Sequence, residues 1–511
     1  MPLYNFKIIS FMKFVYTKLG DSLPSLSWLA VMGTDGTVEI IHGKSVCCTP
    51  DFFVSGVWDG TSEDGDFDTC NFSCCTGARI TDNNITFSTP HHVQACIYLV
   101  EDKGKLYFSN SAAFLLAYTD FCYDADYYNY DKDFCSEFLG NESNMKSTPL
   151  NRGVMYIFTF CNIIVDKNLH YTSVPRKSDY DFRSFADYRE SLTSTIKRLV
   201  ANGTSPSRGG GNSSYGMIAT ISKGYDAPTC CVVAKECGCN EVFTFNRPVH
   251  YAGDCGSDIA AVLGFENIYE LDADDYKRNE EFLEALNVSS GDTGSMIVID
   301  AQHKYFGNKL LFCGCRGDAI WGIRKRQNNH LVFESETSSE NSYELFLRTN
   351  TILVMPPYIG ADHASQLYDI ALSDELADYR LGTLYDRPIC RKIVEDAGVE
   401  REKFGLKKVG AGFCYHFDNI WTVKHKMSSK SYESLLAYSK NLKQNKFKKF
   451  KYLSKFYFKN FPVYASYILK KFKINVNWDM PKEHMSNPFS TTYILWGMDI
   501  AIKEYKKALK K

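Results

Sequence analysis

Short apolar runs broken by polar turns fill the first third of the chain. Ser27 to Met32, the turn Thr34-Asp35-Gly36-Thr37 and Val38 to Ile41 read as a hairpin, because apolar and β-branched residues flank a Gly-containing turn. Ala95 to Val100 and Leu106 to Asn110, joined by Glu101 to Lys105, read as another. Ser111 to Tyr118 suits a short helix, and 153–157 and 162–165 add strands. Met1 to Gly20 alternates apolar residues with Lys7, Lys13 and Lys18, the pattern of one or two strands or a short helix. At Tyr180 the period changes. Phe185, Tyr188, Leu192, Ile196 and Leu199 share one face of a helix over 180–202. Gly203 to Ser214, rich in Gly, Ser and Asn, is a loop and a candidate boundary.

Beyond it, strand and helix patterns alternate. Met217 to Ile221 has the composition of a buried strand. Ser222-Lys223-Gly224-Tyr225-Asp226 is a tight polar loop. A helix pattern follows, with Cys230, Val233, Ala234 and Cys237 at i, i+3, i+4 and i+7, Pro228 in the first turn and Gly238 as a stop. Free N–H groups and the dipole at such a helix start favour an anion. The same residues also suit an ordinary turn between strand and helix. Val242 to Phe245, Ile268 to Leu271 and Lys309 to Phe312 read as strands. Ser257 to Gly264 reads as a helix, and 276–286 and 293–304 as helical or mixed. This alternation predicts a parallel sheet covered by helices, with ligands at the C-terminal ends of its strands. If their strands are neighbours, Ser222–Asp226 and Gly314–Asp318 share one rim.

A chain of 511 residues, 44% hydrophobic and 23% charged, is long enough for two to four domains of ordinary globular composition. No signal-peptide pattern and no apolar run of membrane-spanning length is present, so the expectation is a cytoplasmic protein. Its 18 cysteines are then expected as reduced thiols. The Cys237-Gly-Cys239 and Cys313-Gly-Cys315 spacings are too short for usual zinc sites. His91 and His92, taken as strand neighbours, would point to opposite faces, so no structural metal is expected. The net charge of −2 hides an asymmetry: from Lys424 onward there are about twenty lysines against five acids, interleaved with aromatics. These read either as helices with lysines in solvent or as a surface for anionic lipid or nucleic acid. Lysine in place of arginine favours an anionic membrane over nucleic acid, and with it a peripheral membrane location.

The loops resemble those of the asparagine synthetase-like enzymes. Ser222-Lys223-Gly224-Tyr225-Asp226-Ala227 is similar to that family's Ser-Gly-Gly-x-Asp-Ser pyrophosphatase loop. Gly314-Cys315-Arg316-Gly317-Asp318 resembles its second Gly-rich loop. Arg380 to Pro388, followed by Arg401 to Lys408, resembles its third, lysine-bearing segment. The resemblance implies a degenerate glutamine amidotransferase-like α+β domain over 1–179, an Ntn-like β-sandwich with helices. It implies an α/β parallel-sheet ATP-pyrophosphatase domain over 180–423; the basic, aromatic-rich helical extension over 424–511 is read from composition and matches no part of the family. It further implies ATP and Mg²⁺ as cofactors and adenylation of a substrate carboxylate, on a small molecule or a glycan. By motif position, Ser222 and Gly224 would hold pyrophosphate, Lys223, Gly314 and Gly317 would join the cofactor site, and Asp226, itself cofactor-binding, and Asp318 would hold Mg²⁺. Ile221 and Phe243 would line the adenine pocket, and Lys407 or Lys408 would act in the transition state.

The sequence also departs from that pattern. The family's glutaminase uses an N-terminal cysteine exposed when Met1 is removed; here position 2 is Pro2, so no glutaminase activity is expected and the nitrogen comes from external ammonia or an amine donor. Cys315 stands where relatives carry a glutamate or a tyrosine. Ala227 replaces a serine, and a hydrogen bond to a charged group is worth about 1.5–3 kcal/mol. These departures leave two alternatives beside the amide ligase: a non-catalytic nucleotide-binding descendant, and an RNA-modifying ATP-pyrophosphatase.

Overall fold

Three sheets organise the molecule. They are seen in a computed structural model that describes residues 12–19, 22–81, 83–134, 145–206, 208, 214–246, 253–292, 294–323, 343–383, 385–407, 415, 418–471 and 485–510. The N-terminal strands are β1 (Lys13–Lys18), β2 (Trp28–Met32), β3 (Thr37–His42), β4 (Cys47–Cys48), β5 (Phe52–Trp58), β6 (Ser73–Thr81) and β7 (Asn84–Ser88). They continue with β8 (Ile97–Asp102), β9 (Lys105–Ser109), β10 (Met145–Pro149), β11 (Val154–Phe158), β12 (Cys161–Asp166) and β13 (Tyr171–Pro175). One sheet runs β1-β3-β2-β9-β8-β11-β10 and the other β13-β12-β7-β6-β5-β4. All pairings in them are antiparallel except β1 beside β3.

The two sheets face each other across an aromatic layer. Trp28 and Phe108 come from one sheet and Phe53 and Phe87 from the other; all four are fully buried. Phe87 stacks on Phe108 at 4.1 Å, and Trp28 meets Phe53 edge-on at 5.0 Å. The Trp28 indole N–H donates to Thr76 Oγ1 at 3.0 Å, so this large ring leaves no unmet donor in the core.

Helices close the outer faces. Helices α1 (Ala112–Thr119) and α2 (Tyr130–Phe134) lie between β9 and β10 in the chain, and α1 is capped by Ser111 Oγ, which accepts from Phe114 N. Helix α3 (Phe185–Thr204) lies on β5, and its stripe of Phe185, Tyr188, Leu192, Ile196 and Leu199 is buried as its period predicts. His91 and His92 lie in a bend between β7 and β8 rather than on a strand. Both are buried and accept backbone N–H groups, from Ser73 and Gln94 respectively. Burial keeps their rings neutral, with His92 pushed down to about 3.

The third sheet has five parallel strands. Along the chain come β14 (Gly216–Thr220), α4 (Asp226–Glu236), β15 (Glu241–Phe245), α5 (Ser257–Val262) and β16 (Asn267–Leu271). Then come α6 (Leu283–Ser289), α7 (Ile297–Asp300), α8 (His303–Phe306), β17 (Lys309–Phe312), α9 (Gly317–Ile320), α10 (Tyr343–Thr349) and β18 (Ile352–Val354). Helices α11 (Ala364–Leu372) and α12 (Pro388–Asp396) follow. The order is β16-β15-β14-β17-β18 with every pair parallel. The chain steps outward from β14 to β15 and β16, then returns to the other side of β14. The mixed architecture, one parallel sheet beside antiparallel ones, agrees at that level with the sequence pattern.

The last segment is helical: α13 (Ser429–Asn441), α14 (Lys446–Lys471) and α15 (Pro488–Leu509). Helix α15 is set into the body. Ile494, Met498, Ala501, Tyr505 and Ala508 recur at helical spacing and are buried with α1 on the seven-stranded sheet. Tyr505 stacks on Phe114 at 4.8 Å. Buried Glu344 on α10 joins three parts of the chain: it accepts from Ser111 Oγ and from Tyr505 Oη at 3.2 Å. Buried Glu284 on α6 accepts from Ser428 N at 2.6 Å and Ser431 Oγ at 2.6 Å, at the start of α13.

Candidate functional site

Between β14 and β17 the direction of winding reverses. Open α/β sheets offer a crevice for ligands beyond the strand ends at such a point. The loop after β14 and the loop after β17 meet there, since the two strands are hydrogen-bonded neighbours from Gly216–Lys309 to Ala219–Phe312.

The first loop is held by short-range bonds. Gly224 N donates to Ser222 Oγ at 3.2 Å, and Thr229 Oγ1 donates to Tyr225 O at 2.8 Å within the first turns of α4. Lys223 O accepts from Gly405 N at 2.8 Å, tying the loop to the third segment. Lys223 N donates to Asp254 Oδ1 at 3.1 Å, and the Lys223 ammonium pairs with Asp258 at 3.2 Å. A carboxylate therefore sits on an amide that the resemblance assigns to pyrophosphate. Burial pushes the Asp254 carboxyl above its usual range, against the bond from Lys223. Gly224 has ordinary backbone angles, and a Cβ there would meet Tyr385 Oη at 3.4 Å, an ordinary contact.

Glycine is required in the second loop instead. A Cβ on Gly314 would come within 2.7 Å of the Asp226 carbonyl carbon, and one on Gly317 within 2.5 Å of Asp226 Cγ. The two loops are thus pressed together at the N-terminus of α4 with no room for a side chain. Arg316, between them, adopts a left-handed backbone with φ of 66°. Cys313 and Cys315 are both thiols, their sulfurs 2.9 Å apart.

The third segment supplies the charge that pattern matching missed. Arg387, just before α12, is 5% exposed and forms an ion pair with Asp226. Burial is the strongest single influence and works against its charge; Asp226, with weaker help from Cys390 and Asp318, more than offsets it. Of the two acids assigned to a metal ion, Asp226 is thus paired with a guanidinium and Asp318 lies within its electrostatic reach. Arg387 also lies over the Tyr385 ring at 5.2 Å and the Tyr225 ring at 5.8 Å. Arg391, fully buried one turn on, donates to Tyr225 Oη and to Glu395 at 3.0 Å. Gly405, with φ of 67°, leaves space that the Tyr225 ring fills. Asp386 accepts from Leu381 N at 2.7 Å and Gly382 N at 2.8 Å, which fixes the turn before Arg387. The sequence signal for Arg387 is its place in the Arg380–Pro388 segment; its pairing with Asp226, so far along the chain, leaves no local pattern.

The remaining expected residues are placed as follows. Ile221 and Phe243 are closed in the core, and Ile221 N donates to Phe243 O at 3.0 Å. Asp318 lies in the first turn of α9. Lys407 is exposed beyond Gly405. Lys408 and Pro2 lie outside the described residues. Two carboxylates at a helix start are the right donor type for Mg²⁺. As placed, however, Asp226 is committed to Arg387, so the guanidinium holds the position a cation would take. Among the described residues no group of three or more His, Cys, Asp or Glu is placed to hold a metal ion.

No protein-family model and no curated protein matches the sequence. Among solved structures, a glutamine-dependent NAD⁺ synthetase from Acinetobacter baumannii in complex with ADP is similar at 12% identity, over 54% of this chain and 59% of that chain, with a TM-score of 0.18. A likeness that slight carries no argument, and the reading of the site stands on its own geometry.

Proposed function

We propose that the rim between β14 and β17 takes the polyphosphate of ATP and serves an AMP-forming ligase reaction, in which a substrate carboxylate is adenylated and an external amine or ammonia displaces AMP. One observation carries this reading: two Gly-containing loops on neighbouring parallel strands converge on Asp226, with Gly314 and Gly317 in contact where no side chain fits. The N-terminus of α4 offers backbone N–H groups and a favourable dipole to phosphate oxygens. Arg387 supplies a fixed positive charge beside them, and Lys223 a second one once it leaves Asp258. Phosphoryl and adenylyl transfer depend mainly on such positioning and charge neutralisation. Asp226 and Asp318 would hold Mg²⁺, where bound, and it would supply charge neutralisation to the phosphates; as the residues stand, Asp226 is paired with Arg387 instead.

ATP–pyrophosphate exchange against a panel of carboxylic acids tests the proposal. Exchange above background with at least one acid is expected; none, with ATP binding intact, overturns it.

A second reading has its own support. Arg387 on Asp226 and Asp254 on the Lys223 amide both fill positions that a Mg²⁺–phosphate group would need. They favour a non-catalytic nucleotide-binding descendant. Calorimetry separates the two, because ATP binding insensitive to Mg²⁺ belongs to the descendant and Mg²⁺-dependent binding to the ligase.

A further inference from the structure

Helix α14 turns one stripe of side chains to the body and a second, aromatic one to the outside. Its sequence from Lys446 to Lys471 holds eight lysines and no acidic residue. The inner stripe is Tyr452, Phe456 and Asn460, at i, i+4 and i+8. Phe456 and Asn460 are buried, and Tyr452 stacks on Tyr128 at 4.5 Å while donating to Ser486 O at 3.0 Å. These contacts fix the phase of the helix on the protein.

The outer stripe is Phe447, Phe450, Tyr457, Phe458 and Phe461, which are 75%, 69%, 53%, 86% and 62% exposed. At about 100° per residue they fall within an arc of roughly 100°, on the side of the helix away from Phe456. Lys448, Lys451, Lys455 and Lys459 fall in the adjoining arc by the same geometry. Lys448 approaches Asp126 at 3.9 Å; Lys451, Lys455 and Lys459 make no ion pair among the described residues. A soluble face rarely leaves four large aromatics such as Phe447, Phe450, Tyr457 and Phe458 this exposed.

We infer that this outer face of α14 lies on an anionic phospholipid bilayer, with its phenylalanines in the headgroup–acyl boundary and its lysines at the phosphates. An aromatic stripe beside a lysine-only flank is the arrangement of an interfacial helix, and clusters of four to eight lysines on such helices bind acidic lipid. The long lysine stems allow the ammonium groups to reach the headgroups while the helix sinks. A second copy of the chain is a poor occupant, because α14 would meet its own uncompensated charge. Nucleic acid shares the charge complementarity, but the stripe is convex, with four phenylalanines side by side, and offers no groove to follow a strand. No helix among the described residues is long and apolar enough to cross a membrane, so contact from one side is the mode that fits. The inference does not depend on the nucleotide reading.

The test uses the full chain with vesicles of phosphatidylcholine, with and without phosphatidylserine, in a flotation assay at rising salt. Binding is expected only with phosphatidylserine and is expected to fall as salt rises. Phe447→Ser with Phe450→Ser, Phe458→Ser and Phe461→Ser should lower it at least about tenfold. Lys451→Glu with Lys455→Glu and Lys459→Glu should lower it about a hundredfold or more, near fivefold for each lysine removed. All seven side chains are at the surface, so melting curves should match the parent and separate lost binding from lost fold. No binding to phosphatidylserine vesicles, or equal binding by the serine variant, overturns the inference. Salt-sensitive binding to a single-stranded RNA oligomer without vesicle binding also overturns it, in favour of nucleic acid.

Discussion

The β14–α4 junction and helix α14 treat charge in opposite ways. At the junction three ion pairs close within the chain: Asp226 with Arg387, Lys223 with Asp258, Arg391 with Glu395. On α14, eight lysines run through 26 residues without one acid, beside phenylalanines left in solvent. The first region is electrostatically closed, and any ligand there must displace a partner already present. The second is open, and only something outside the chain completes it. A junction of the first kind is costly to mutate for stability, and a surface of the second kind costs only binding.

The sharpest way to break this contrast is Asp226→Ala, which leaves the Arg387 guanidinium buried without its carboxylate. It should cost about 3 kcal/mol in denaturant unfolding. A loss no larger than that of a surface substitution would mean the junction is not closed by this pair.

Asp131 probes the protein beneath α14. Burial raises its carboxyl from the usual range to about 6, against weaker help from Ser486 and the Lys132 amide. The folded state then binds this proton more tightly than the unfolded one. The group's contribution is therefore most favourable below about pH 4, declines as pH rises to about 6, and is constant above, by up to roughly 3 kcal/mol. Asp131→Asn should flatten the stability profile over that window; an unchanged profile would show that the carboxyl titrates normally.

Gly317→Ala should lose about 2 kcal/mol through overlap with Asp226, while Gly224→Ala should lose almost nothing. Thermal melts of the two variants side by side read this directly, and equal losses would contradict the packing of the loops. Asp254→Asn removes a negative charge from the Lys223 amide and should tighten ATP binding about tenfold by calorimetry. Weaker binding would show that Asp254 serves the ligand and does not compete with it. At the small end, the four phenylalanine-to-serine changes on α14 should move stability by less than about 0.5 kcal/mol.

Much of the scaffold was legible in the residues. The α3 stripe is buried as its spacing demands, and the apolar runs at 217–221, 242–245, 268–271 and 309–312 coincide with β14, β15, β16 and β17 to within a residue or two. Those runs are local, and buried parallel strands declare themselves by composition. What escaped is what depends on distant partners. Arg387 lies on a different segment from Asp226, and nothing near either residue announces the pair. Asp254 reads as an ordinary loop acid until the fold lays it on Lys223. Gly224 drew attention as the glycine of its motif, whereas the close approach occurs at Gly314 and Gly317, which only the second strand brings into contact. In α14 the composition was plain but the phase was not. A simple amphipathic reading turns the aromatics inward, yet Tyr452 and Phe456 already fill the seat, and Phe447, Phe450 and Phe458 are left outside.

The placement of α15 bears on how the protein is made. Residues 488–509 cover the outer face of a sheet whose strands end by residue 158, and Tyr505 completes a polar cluster with Ser111 and Glu344. On a ribosome, that sheet emerges long before its cover does. The part of its apolar outer face that α15 covers must wait, exposed or held by a chaperone, until α15 has been synthesised. Released chains truncated before Pro488 should therefore bind hydrophobic probes, whereas released chains that include Pro488–Leu509 should not.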